Sequence, residues 1–259
     1  MRRPTQTYFI AYQTIVIKEI GRFTRIWIQT ILPPAITMTL YFVIFGNLIG
    51  PRIGQMGGFD YIQYMAPGLI MMSVITHSYA NVVSSFFGSK FQKNIEEMLV
   101  APIPNFVIVA GYITGGVARG LLVGVVVTVV ALFFTKLTLH SLTITAATVL
   151  LTATLFSLGG LVNGIFAKHF DDTSVIPTFV LIPLTYLGGI FYSIDLLPEF
   201  WQKASLANPI LYMVNAFRFG ILGVSDIDIA VAFGVVILFI LILTGLSLIL
   251  LKNGVGIKT

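Results

Sequence analysis

An all-α polytopic membrane protein is the fold class this sequence predicts, and three observations carry it. Only 10% of the 259 residues are charged, while 57% are hydrophobic; soluble domains run at about a quarter charged. The apolar residues gather into several runs that approach or exceed the roughly 20 helical residues a bilayer crossing needs. Mean hydropathy is +0.96, so most side chains must face lipid or other helices rather than water. The expected architecture over 1–259 is a single transmembrane domain. It has an amphipathic N-terminal helix, six spans, a short amphipathic helix between the second and third spans, and two short external helices before the last.

Residues 8–25 predict an interfacial helix. Phe9, Tyr12, Val16, Ile20, Phe23 and Trp27 recur at helical spacing, and Lys18, Arg22 and Arg25 share another face. An apolar face opposite a basic one suits a helix lying in the membrane interface, where the basic side meets anionic lipid; the same pattern also fits a helix packed on a cytosolic partner. The opening "MRRPTQTYFIAYQ" lacks an apolar core followed by a small-residue cleavage site, so no cleaved signal peptide is expected.

The first span is expected at 26–49, about 36 Å of helix, kinked at Pro33 and Pro34. The others follow at 61–86, 106–134, 142–166, 175–192 and 230–251. The fifth is short and holds Pro177, Pro183, Gly188 and Gly189. With a cytoplasmic N-terminus, ten of the fifteen Lys and Arg fall inside: Arg2, Arg3, Lys18, Arg22, Arg25, Lys90, Lys93, Lys168, Lys252 and Lys258. Four fall outside, and Arg119 lies within a span. Positive charge accumulates on the cytoplasmic side, so both termini are expected there. The net charge of +5 is a topology signal on this reading, and no nucleic-acid partner is expected.

Between the second and third spans, 89–101 predicts a short amphipathic helix. Phe91, Ile95, Met98 and Leu99 share one face. Lys93 and Glu97 stand one turn apart, spaced to pair, with Glu96 beside them. Pro102 and Pro104 stop the helix. Two readings fit equally: a lever docked on a soluble partner, or an anchor in the interface.

Residues 193–223 are too apolar for an exposed loop. Asp195 with Pro198, and Asn208 with Pro209, are helix-start signals. The second helix, about 209–222, is roughly 21 Å long, too short to cross. Two re-entrant helices within 195–223, dipping in from the outer side, are expected; the alternative is a kinked seventh span.

Arg119 sits near the middle of the third span, where a cation is costly and functional by default. It faces a pathway or an anionic headgroup on one reading. On the other it is satisfied by backbone carbonyls or by His77 and Asn81. Gly116, Gly120 and Gly124 form a small face for close packing, within or between subunits. Asp171 and Asp172 either dock a partner or cap the fifth span. There is no cysteine, hence no disulfide or thiolate metal site. No two of His77, His140 and His169 stand at ligand spacing, so no metal is expected. The chain has no Gly-x-x-x-x-Gly-Lys-Ser/Thr, so ATP hydrolysis, where needed, must come from another chain.

"NIEEMLVAPIP" resembles the first cytoplasmic loop of ABC-2 type transporter permeases, where an acidic pair precedes a Leu-x-x-Pro-x-Pro-like stretch. "YLGGIFYSIDLLPEFWQKASLANPILYMVNAFRFGILG" resembles that family's signature after the fifth span. The matching positions are Gly189, Phe191, Leu197, Pro198, Asn208, Pro209, Tyr212 and Arg218. Tyr192-Ser193 departs from the proline many relatives carry there.

The resemblance covers nearly the whole chain. It implies a permease homodimer bound to two P-loop ATPase subunits that hold ATP and Mg, with no cofactor on this chain. It makes 89–101 the coupling helix, carried by Phe91, Lys93, Ile95, Glu96, Glu97, Met98 and Leu99. The N-terminal helix with Lys18, Arg22 and Arg25 becomes the interfacial connecting helix. The implied task is export of an amphiphilic, lipid-like or glycan substrate across a bacterial inner membrane. The competing class is a gradient-driven secondary transporter or channel. Such proteins place acidic or histidine relays within spans; here the mid-membrane residues are one arginine and one histidine, without a carboxylate.

Overall fold

In lipid an unpaired backbone N–H or C=O has no water to turn to, so each long apolar run closes its hydrogen bonds internally as a helix. The structure, a computed structural model, describes residues 4–256; Arg2, Arg3 and Lys258 lie outside them. Helix α1 is Pro4–Arg25 and α2 is Trp27–Ile53. A two-residue hairpin pairs Gln55 with Asp60 and Met56 with Phe59. Gly57 and Gly58 form its turn at φ 58° and 82°, the left-handed backbone that such turns require. Then come α3 (Tyr61–Phe91), α4 (Asn94–Val100), α5 (Asn105–Phe134) and α6 (Leu142–Phe166). The helical stretch 172–186 is α7, and α8 (Glu199–Leu206), α9 (Pro209–Leu222) and α10 (Ile229–Asn253) complete the chain.

Among the described residues five helices are long and apolar enough to cross a membrane: α2, α3, α5, α6 and α10. The stretch expected as a fifth span at 175–192 is helical only as 172–186, widened to a π-helical turn at Pro177–Leu181. It leaves the helix at Leu187, and Gly189 takes φ 68°. Proline lacks the N–H that an α-helical ladder needs, and Pro177 and Pro183 flank the widened turn. In α2 the run through Pro33 and Pro34 stays helical, and the π-helical widening comes later, at Phe42–Ile49.

Helix α3 is the axis of the bundle, with most of its length buried against α5, α6 and α9. Lipid tails are as apolar as leucine, so helices associate through close packing rather than hydrophobic exclusion, and small residues allow it. The α5 glycines serve this within the subunit. Gly111 and Gly115 receive Ile15 and Glu19 of α1. Gly116, Gly120 and Gly124 face Val82, Ser78 and Val74 of α3, with Ser157 of α6 also against Gly116. Two apolar cores result. One, around Met65, Leu69 and Phe217, fills the end near the hairpin and α9. The other, around Ile15, Ile95, Tyr112, Leu161 and Leu251, joins α1, α4 and the end of α10 at the opposite end.

The cap expectations divide. Asn208 caps α9 as expected, its Oδ1 accepting from the Ile210 N–H at 3.0 Å with Pro209 in the first turn. Asp195 does not cap α8: Pro198 occupies that position and Asp195 lies in a short 3₁₀ turn, Ile194–Leu196.

Candidate functional site

The expected helix at 89–101 is two pieces. Phe91 ends α3, and Lys93 turns the chain at φ 62°, the one non-glycine residue with positive φ among those described. The left-handed region costs an L-residue roughly 1–2 kcal/mol. What holds it is the next turn: Ile95 is fully buried in the lower core, and Met98 and Leu99 pack beside it. The turn carries Lys93 away from Glu97, and no ion pair forms between them; the expected pairing is therefore corrected. Phe91 meets Phe170 of the 167–171 loop with the rings tilted at 59° and their centres 4.9 Å apart. Glu96, Glu97 and Val100 point outward, and the two acids lie in the first turn of α4, where the helix dipole favours them. A cavity of about 470 Å³ opens beside the contact of α4 with α1, lined by Ala11, Thr14, Lys18, Asn94, Glu97 and Met98 among others.

The apolar stripe expected in the interface divides: Phe23 turns into the bundle, while Phe9 and Ile20 stay outside it. Ile15, Glu19 and Phe23 are buried, while Phe9, Ile17 and Ile20 are exposed. Glu19, absent from the expected residues, is the centre of the contact. Its Oε1 accepts from Ser85 Oγ at 2.6 Å, with Lys18 Nζ at 3.9 Å. Its Oε2 stands 3.7 Å from Arg22 Nε, close enough for charge attraction and too far for a hydrogen bond. Burial pushes the Glu19 carboxyl above its ordinary value, against the Ser85 hydrogen bond and the charges of Arg22 and Lys18. Burial likewise pulls the Lys18 ammonium down. Lys18 Nζ donates to Ser89 Oγ at 3.0 Å, and the Tyr112 hydroxyl reaches the same oxygen at 2.9 Å. Arg25 is exposed. An acid between Lys18 and Arg22 in an otherwise basic helix was the available signal for Glu19.

Arg22 also takes the partner expected for Arg119. Its Nη2 donates to Asn81 Oδ1 at 2.6 Å and to the Asn81 carbonyl at 2.8 Å. Arg119 Nε and His77 Nδ1 are both buried without a hydrogen-bond partner, so the expected satisfaction of Arg119 by His77 and Asn81 is corrected. On the neighbouring loop Asp172 Oδ2 accepts from the backbone N–H groups of Lys168 and His169 at 2.8 and 2.9 Å. These bonds hold its carboxyl below the ordinary range and close the 168–172 turn; Asp171, at the start of α7, makes no side-chain cap bond, so the expected cap of the fifth span is not formed.

At the opposite end the remaining residues converge. Arg218 is fully buried. Its Nη2 donates to the Gly189 carbonyl at 2.5 Å and its Nε to the Tyr64 carbonyl at 3.3 Å. Asn208 Nδ2 donates to the Leu184 carbonyl at 2.6 Å, and the Tyr212 hydroxyl to the Leu206 carbonyl at 2.8 Å. The Leu197 carbonyl, beside Pro198, accepts from Gln202 Nε2 at 2.8 Å. This set staples the end of α7, the 187–198 loop, α8 and α9 to α3. A cavity of about 600 Å³ opens beside it, lined by Gln55, Met56, Tyr64, Ser193, Asp195 and Asp226 among others. Tyr64 and Asp226 were not expected there. Among the described residues no group of three or more His, Asp or Glu is placed to hold a metal ion.

Comparison with known proteins gives these two ends a common context. The chain is 60% identical over 252 residues to the inner membrane transport permease YadH of Escherichia coli strain K12, covering 97% of this chain and 98% of that protein. It is 26% identical over 215 residues to nodulation protein J of Rhizobium leguminosarum bv. trifolii, covering 83% and 82% of the two chains. It is 22% identical to nodulation protein J of Neorhizobium galegae over the same length and shares. The profile of the ABC-2 type transporter family matches residues 10–222, a stretch that takes in α1, α4, the arginine-stapled end and all the spans but α10. This chain therefore belongs to the ABC-2 type transporter family.

Proposed function

We propose that this protein is the permease subunit of an ATP-driven exporter of the bacterial inner membrane, working as a homodimer with two separate P-loop ATPase subunits. ATP and Mg are bound on those subunits, and the cargo is amphiphilic, lipid-like or glycan. The inner-membrane setting follows the name carried by the 60% identical relative.

One observation carries the reading. Helix α4 is fastened to the bundle by Ile95, Met98 and Leu99, while Glu96 and Val100, the latter 86% exposed, face away from it and Glu97, also exposed, rims the cavity beside α1. A short helix rigid toward the membrane and open toward solvent is fitted to pass motion from a docked partner. Helix α1 beside it, with Lys18, Glu19 and Arg22 bound to α3, passes the same motion to the central span. The topology proposed is six crossings, with α7 the fifth, α8 and α9 re-entrant, and both termini cytoplasmic. Its support is the lower core, where residues of α1, α4 and the last turns of α10 pack together. An even number of crossings brings those three to one side.

Affinity purification from the native membrane tests it. The expected result is a P-loop ATPase at one to one in a particle of two copies each. In E96R/E97R the ATPase should be lost while the permease stays folded and inserted. A solitary oligomer insensitive to ATP would sink the proposal.

A further inference from the structure

Helix α1 runs along both α3 and α5. On α5, Gly111 meets Ile15 and Gly115 meets Glu19; the next step is Arg119, level with Arg22 and Phe23. On α3, Ser89, Ser85 and Asn81 receive Lys18, Glu19 and Arg22 in turn; the next step is His77. Gly120 of α5 packs on Ser78 of α3, which sets their chain neighbours Arg119 and His77 at one level, beyond the Arg22–Asn81 contact.

Most of the polar atoms left over here are donors or can become donors. Arg119 Nε, Arg22 Nε and Asn81 Nδ2 are buried N–H groups without a hydrogen-bond partner, and His77 Nδ1 is buried beside them without one. The one carboxylate in the cluster, Glu19, accepts from Ser85 through Oε1, while its Oε2, without a hydrogen-bond partner, stands 3.7 Å from Arg22 Nε. Helices α3, α5 and α6 contain no Asp or Glu. Three cations thus face one acid in a setting where an unpaired buried charge is expensive. His77 and Arg119 are half-buried and Thr76 beside them is exposed, so the cluster borders the outer surface of the bundle.

We propose that Arg119, Arg22, His77 and Asn81 bind the phosphoryl headgroup of an amphiphile. A phosphoryl group offers several acceptor oxygens and one or two negative charges, the complement of convergent guanidinium and amide donors. Its tail lies along the apolar flanks of α3 and α5. The headgroup belongs either to an anionic phospholipid of the bilayer or to the cargo. The cargo arm rests on the transport function proposed above; the binding site itself does not.

The test uses the isolated chain in detergent, without an ATPase, so it fails or succeeds independently of that partnership. Native mass spectrometry measures retention of phosphatidylglycerol against diacylglycerol with the same chains. Wild type should retain phosphatidylglycerol preferentially. R119Q should weaken that retention about tenfold, the loss of one charge-assisted contact. R119K should be intermediate, and K203Q, at the far end of the molecule, should match wild type. Should R119Q fail to fold, R119K and H77Q carry the measurement. Equal retention of the two lipids by wild type, or wild-type retention in both R119K and H77Q, overturns the proposal. Lipid extracted with the chain from its native membrane then assigns the source. Bulk phospholipid marks a bilayer-lipid site, and a distinct phosphorylated amphiphile marks the cargo; either supports the phosphoryl site.

Discussion

The guanidinium carbon of Arg218 lies 4.0 Å from the centre of the Tyr64 ring, and its Nε donates to the Tyr64 carbonyl, across 154 residues of sequence. The same guanidinium reaches Gly189. One buried cation thus ties α9, α3 and the loop after α7 together. Arg218→Leu removes the donor of two buried carbonyls and should cost about 2–5 kcal/mol, read as a fall in melting temperature of the detergent-purified protein. Tyr64→Phe keeps ring and carbonyl and should shift it little. Equal melting of R218L and wild type would make the contact incidental.

Glycine substitutions separate close packing from helix propensity. A Cβ on Gly120 would collide with Ser78 Oγ and meet the Val74 carbonyl at 3.3 Å, whereas Gly245 in α10 has nothing within 4 Å. Gly120→Ala should destabilise by about 1–3 kcal/mol through overpacking. Gly245→Ala should be neutral or stabilising by up to about 1 kcal/mol, since alanine favours a helix interior. Opposite signs of the two melting shifts are expected.

What the sequence made legible was local. Long apolar runs located α2, α3, α5, α6 and α10, and the Asn208-Pro209 pair located the start of α9, because each signal is contained in its own segment. The break at Lys93 was hidden: the residue with positive φ is a lysine rather than a glycine or asparagine, and the buried seat of Ile95 that stabilises it belongs to other helices. The inward face of α1 was hidden for a different reason. Lipid and protein both accept apolar side chains, so periodicity could not say which stripe met the bundle; the stripe around Glu19 did. Asn81 went to Arg22 rather than Arg119, and Tyr64 to Arg218, because both pairings depend on how distant helices pack.

Stability should depend on pH through Glu19. Its carboxyl is raised above the ordinary value by burial, so the folded state holds the proton more tightly than the unfolded chain. That contribution is fully present below the unfolded value, about 4.3, and is lost as pH rises through the raised folded value. Melting temperature of the wild type should therefore fall across that window by more than that of Glu19→Gln, which does not titrate. Parallel profiles of the two proteins would remove Glu19 from the account.

The two faces of α4 should fail in different ways. Ile95 is fully buried, and Ile95→Ala should cost about 2–5 kcal/mol through the lost contacts and the cavity left behind. The charge presented by Glu96 and Glu97 stays in place. Loosening the seat frees the lever without removing its docking face, so an ATPase should still co-purify while transport falls. The charge reversal E96R/E97R does the converse, with melting near that of the wild type and the ATPase lost. Measuring melting, association and transport on both variants reads the two links separately. If Ile95→Ala loses the ATPase as completely as E96R/E97R does, the rigid seat of α4 is itself part of the docking surface. The division between a buried anchor and an exposed docking face then fails.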